Sequence, residues 1–154
     1  MKKKIIIILL VAVSLIGVFL LMNDNIYFGG KDVKGIYVDE GLRIATDNHW
    51  DINYCNLLDN AIDGDNKSIR ELSLLDYSGD GEPSYDHGNV LVKLIDCIGE
   101  KKFISALGNN LSTKERNSIR DYLLVGLEYG DTKHKSQKIN DAFPLVDNFL
   151  FTGD

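Results

Sequence analysis

A mainly α fold of stacked short αα-hairpins is predicted by three features of the chain. Between Asp51 and Gly130, apolar residues recur at intervals of three and four, which places them on one face of a helix. Each of the main runs is followed by a glycine: Gly64, Gly99, Gly108 and Gly130. Two segments, Asn56–Leu72 and Lys93–Leu107, share an order of apolar helix, acid, glycine, charged turn and second helix, and their glycines Gly64 and Gly99 lie 35 residues apart.

The chain opens with Lys2, Lys3 and Lys4 and then an uncharged run from Ile5 to Met22, 18 residues long. That length suits a bilayer-crossing helix and exceeds the apolar core of about 7–15 residues usual in a cleaved leader. Residues 1–22 are therefore expected to be a transmembrane signal-anchor. The lysines would lie on the cytoplasmic side and the rest outside the membrane, or free in the periplasm or medium if the segment is cut. Residues 23–35 mix glycines and charges as a tether, and residues 36–154 are expected to form one helical extracytoplasmic domain. At the start of that domain, Ile36–Val38 and Leu42–Ile44 flank Asp39-Glu40-Gly41, which reads as a small β-hairpin.

Cys55, Leu58 and Ile62 then line a first helix, and Ile69, Leu72 and Leu75 a second that starts near Asn66. Leu91, Leu94, Ile95 and Ile98 form the most regular apolar set, followed by Phe103, Ile104 and Leu107. Ser112 to Glu115 read as a capping box, in which hydroxyl and carboxylate satisfy free amides at a helix start. Ile119, Tyr122, Leu123, Gly126 and Leu127 are the stripe of that helix, and Pro144 opens a last one.

The whole chain has 17 basic and 23 acidic residues. Residues 1–22 hold three of the basic residues and no acid, so the remainder carries 14 against 23, a net charge of −9. Such a surface repels nucleic acid and anionic lipid headgroups, and it suits a basic protein partner or a cation. Neither C-x-x-C nor H-x-x-x-H occurs, so no zinc spacing is present, and no cofactor motif is found. Cys55 and Cys97 could pair in an oxidising compartment or remain as buried thiols.

Candidate chemistry concentrates in Asp76–Val90. Read as a calcium loop, Asp76, Ser78 and Asp80 occupy the first three ligand positions, but His87 stands where a bidentate Glu is required. The alternative is a tight turn with Asp86 as the N-cap of the next helix and His87 as a buried imidazole tying the turn to a neighbour. Glu82, Asp86 and His87 also contain the groups of a hydrolase, without a recognisable nucleophile. The run from Tyr85 to Phe103, with Leu111 to Gly130, resembles small exported bacterial helical proteins. Tyr85, Asp86, His87 and Gly88 enter a Leu-rich helix, and a Gly-Leu-x-x-Gly follows. The resemblance implies a helical fold and assigns no chemistry.

The function expected from these features is a non-catalytic protein-binding module on the outer face of the cytoplasmic membrane. Tyr77, Asp80, Glu82, Tyr85 and His87 would contact its partner. An envelope toxin-immunity protein is a narrower form of the same reading, and a hydrolase is the competing class.

Overall fold

The computed structural model describes residues 29–77 and 81–151. These residues are mainly helical, with one two-stranded antiparallel sheet at the N-terminal side. The strands β1 (Lys31–Val33) and β2 (Ile36–Val38) pair Lys31 with Val38 and Val33 with Ile36. Lys34 and Gly35 turn the chain, both at positive φ (51° and 89°), a pair of values whose twist matches that of the flanking strands.

The hairpin therefore uses β2 as expected, but with a different partner strand. Residues 31–33, read as tether, supply it, while Leu42–Ile44 belong to helix α1 (Glu40–Trp50). The same Asp39 that suits a turn suits an N-cap, and here it accepts a hydrogen bond from the Gly41 amide at 2.6 Å. Leu42 and Thr46, one turn apart, are both fully buried, which is the helical period prevailing over the alternating one.

Helix α2 (Tyr54–Ile62) is capped by Asn53, and α3 (Asn66–Ser73) by Asp65, which takes the Ser68 amide at 2.8 Å. Helix α4 (Glu82–Ile98) runs to Gly99, and α5 (Glu100–Leu107) leaves from that same residue. The second helices of the two similar segments meet: Arg70 of α3 donates to the Leu107 carbonyl at the end of α5, and Lys102 of α5 donates to Asn66 at 2.8 Å. Helix α6 (Thr113–Tyr129) begins with the expected capping box. A short α7 (Ile139–Ala142) precedes α8 (Pro144–Phe151), whose free amides at Leu145 and Val146 are satisfied by Glu100 of α5, at 2.7 and 3.0 Å.

The most extensive helix pair is α4 with α6. Both are 17 residues long and cross where Gly88 faces Gly126. A Cβ on Gly88 would collide with the Tyr122 carbonyl and lie 2.9 Å from the Gly126 amide nitrogen, and one on Gly126 would collide with the Gly88 carbonyl. Val90, Leu91, Leu94 and Ile95 from α4 and Ile119, Leu123 and Leu127 from α6 fill the core on this seam.

The transmembrane helix and signal-anchor expectation has to be corrected against this architecture. Among the described residues no helix is long and apolar enough to cross a membrane. Even the two longest carry charges through their middles, Lys93 in α4 and Arg120 and Asp121 in α6. The run from Ile5 to Met22 itself lies outside the described residues.

Because the glycine contact is backbone against backbone, neither helix can relieve an added methyl by changing a rotamer. Gly126→Ala is expected to lower stability by about 2–3 kcal/mol in urea unfolding, while Val125→Ala, one position away and half-buried, should cost under about 1 kcal/mol. Ser112→Ala, which removes half of the capping box, should cost about 1 kcal/mol by the same measurement.

Candidate functional site

Helix α4 begins five residues earlier than a helix capped by Asp86 would. Its N-cap is Gly81, without a side-chain hydrogen bond, and Pro83 occupies the first turn, where its missing amide costs nothing. Asp86, His87 and Gly88 are therefore inside the helix, and the reading of Asp86 as a cap is corrected. Helical geometry then sends neighbouring residues to different faces: Glu82 and Tyr85 are exposed, Asp86 is half-buried, and His87 and Gly88 are buried.

His87 lies in an aromatic cage. Its ring centroid is 4.8 Å from that of Tyr122 on α6, 4.9 Å from Tyr77 after α3, and 5.9 Å from Tyr54 on α2. Behind Tyr77, Trp50 at the end of α1 makes an edge-to-face contact at 5.0 Å. The Tyr54 hydroxyl and His87 Nδ1 are hydrogen-bonded at 2.8 Å, whereas Nε2 is buried without a hydrogen-bond partner. Burial lowers the His87 pKa from 6.5 to about 3, and it holds the Tyr54 phenol well above its usual range, with the nearby Tyr77, Cys55, Asp86 and Tyr122 adding to the effect. Both side chains are neutral over the physiological range.

Tyr77 is fully buried as well. Its amide donates to the Tyr122 hydroxyl at 2.6 Å, and its own hydroxyl is 2.5 Å from Thr46 Oγ1. Tyr77 and His87 are thus unavailable as contact residues, which corrects two of the five expected. The buried-imidazole reading of His87 is the one its position matches, with the tie made to α2. Glu82, Asp86 and His87 do not converge on one cleft, since the His87 ring faces the core and Glu82 faces solvent. Ser78 and Asp80 lie outside the described residues. Asp76 forms an ion pair with Lys114 at 3.6 Å. Among the described residues no group of three His, Cys, Asp or Glu side chains could hold a metal ion.

The two cysteines do not pair: Cys55 is a buried thiol on α2, and Cys97 is an exposed one near the end of α4. Burial raises the Cys55 pKa, with Lys31 and Arg43 opposing it. His134 binds Asp96 of α4 at 2.9 Å beside Lys133 at 3.1 Å and packs on Phe143.

On the surface of the α4–α6 pair, the rings of Tyr85 and Tyr129 meet edge to face at 5.3 Å, although the residues are 47% and 65% exposed. Glu82 lies one helical turn before Tyr85, and the half-buried Val125 one turn before Tyr129. Burial raises the pKa of Asp86, and the negative charges of Asp39 and Glu82 raise it further. Among the described residues none of these three carboxylates forms an ion pair. Tyr129 was not singled out in the sequence; its spacing from Gly126, equal to that of Tyr85 from Gly88, was the available signal.

Comparisons with known proteins return no matching family model, no matching curated protein and no matching solved structure.

The pH dependence of stability follows from His87. Its folded-state pKa lies below the unfolded value, so the unfolded chain binds more protons between pH 6.5 and 3, and the stability present above pH 6.5 is lost as pH falls through that window. The expected slope is about 1.4 kcal/mol per pH unit from this group. Urea unfolding of wild type and His87→Gln at several pH values measures it, and the variant should lack that component.

Proposed function

We propose that this chain is a non-catalytic protein-binding module that receives a basic partner on the surface formed by Tyr85, Tyr129 and the Asp39–Glu82–Asp86 acids. The reading is supported above all by two exposed tyrosines that meet edge to face beside three carboxylates with no ion pair among the described residues. Tyrosine supplies a large contact area with few rotamers to freeze, which is why it is enriched at binding surfaces. Carboxylates without cations lose little on meeting a cationic partner, because no existing ion pair has to be broken. They also steer its approach.

The surface has a rigid base. Tyr85 and Tyr129 stand on the two helices locked together at Gly88 and Gly126, so their geometry is preset before a partner arrives, and little ordering cost falls on binding. A hydrolytic alternative would need an accessible acid–base pair at Glu82, Asp86 and His87, and His87 is fully buried.

Quantitative affinity capture with the full chain tests the proposal when wild type is compared with Tyr85→Ala/Tyr129→Ala, with Glu82→Lys and with a distant surface variant, Asp147→Ala. A bound protein lost at least tenfold from the double variant and from Glu82→Lys, yet retained by Asp147→Ala and released by 0.5 M salt, is the expected result. Partners captured equally by all four would place the contact elsewhere.

A further inference from the structure

His87 has three aromatic walls, and they are not equally secured. Tyr54 and Tyr122 project from α2 and α6, whose backbones are tied by helical hydrogen bonds. Tyr122 also sits at the glycine crossing, where its carbonyl abuts Gly88. Tyr77 instead follows the end of α3 in a segment, residues 75–77, that is neither helix nor strand. Its hydroxyl bond to Thr46 and its amide bond to Tyr122 can break without unwinding a helix.

A proton on His87 would have nowhere to settle in this cage. The imidazolium needs two acceptors: Tyr54 can turn to accept from Nδ1, and among the described residues none accepts from Nε2. The groups packed around the ring are Tyr54 from α2, Tyr122 from α6, Tyr77 with Trp50 and Thr46 of α1 behind it, and Asp86 on α4 itself. Among the described residues no carboxylate is turned to the ring as a counter-charge, and burial is the cause of the lowered proton affinity. An unpaired buried charge is among the costliest states in a core, and admitting water at Nε2 relieves it.

We propose that His87 and Tyr77 form an acid-operated latch, in which proton uptake at Nε2 of His87 drives the Tyr77 ring out of the cage and uncovers Tyr77 and Trp50 as a second aromatic surface. The proton comes from solvent, and the step is reversed by raising the pH. The device stands independently of the proposed partner surface, because the walls that move are on a different face of α4 from Tyr85.

The chain contains one tryptophan and three histidines, so Trp50 emission reports the wall and the His87 ring resonance reports the proton. The His49 ring lies 5.3 Å from that of Trp50, so the measurements are made on the full chain carrying His49→Gln, which leaves that imidazole out of the Trp50 signal. Between pH 6.5 and 3, Trp50 emission should shift to longer wavelength together with the His87 resonance, at a pH where far-UV circular dichroism is unchanged. Thr46→Val, which removes one anchor of Tyr77, should move that midpoint upward by half a pH unit or more. His87→Gln should abolish the shift, and Asp86→Asn should keep it.

The latch is overturned if His87 stays neutral until the helical signal itself collapses. It is equally overturned if the Trp50 shift survives in His87→Gln, disappears in Asp86→Asn, or keeps its midpoint in Thr46→Val. Should His87→Gln fail to fold, the resonance in the His49→Gln protein and the Thr46→Val comparison still decide the matter.

Discussion

Everything in this structure that has functional interest depends on two helices touching through bare backbone. Where Gly88 meets Gly126 there is no room for a side chain, and α4 and α6 approach more closely than any larger residue would allow. Glycine inside a helix costs about 1 kcal/mol relative to alanine, so a pair of them there is offset by what the close approach brings. One gain is the dense apolar seam above and below the crossing. Another is register, since a backbone contact of this kind fits at one position along each helix and nowhere else.

Register places both functional features. Tyr85 stands three residues before Gly88 and Tyr129 three residues after Gly126, and on helices locked at the glycines those two rings meet on the outside. On the inside, the same lock presses Tyr122 against the turn that carries His87. Outer pair and inner cage are two faces of one contact. The outer face exposes its two rings, and the inner face holds a titratable group that has no counter-charge among the described residues. Similar residue types thus serve opposite ends: tyrosines in water offer contact area, while tyrosines around His87 exclude water.

Legibility of the chain varied with the range of the interaction involved. Ser112 and Glu115 cap α6 through contacts three residues apart, and Gly64 and Gly99 stop helices through their own dihedral angles, so each could be read in place. The strand partner of Ile36–Val38 was misplaced because Asp39-Glu40-Gly41 is equally good turn and helix-start chemistry. The choice fell to whether Leu42 and Thr46 had a core to enter. The segment Asp76–Val90 misled more: dense in acids and glycines, it reads as a loop, yet Pro83 is a helix-initiating residue and the helix runs from Glu82. Moving that start turned Asp86 from cap to mid-helix and turned His87 toward the core.

The amino-acid sequence by itself determined the helical class, the positions of most helix ends and the acidic character of the surface, because periodicity, capping and net charge are local or additive properties. Tertiary structure alone decided that Tyr77 and His87 are inside while Tyr85 is outside, that Tyr54 and Trp50 belong to the same cluster, and that Tyr129 stands beside Tyr85. Those facts join residues from 27 to 45 positions apart, as in Trp50 with Tyr77 and Tyr77 with Tyr122. No local pattern encodes such pairings; they follow from which helix faces can approach closely enough to exclude water, and here the two glycines set that distance.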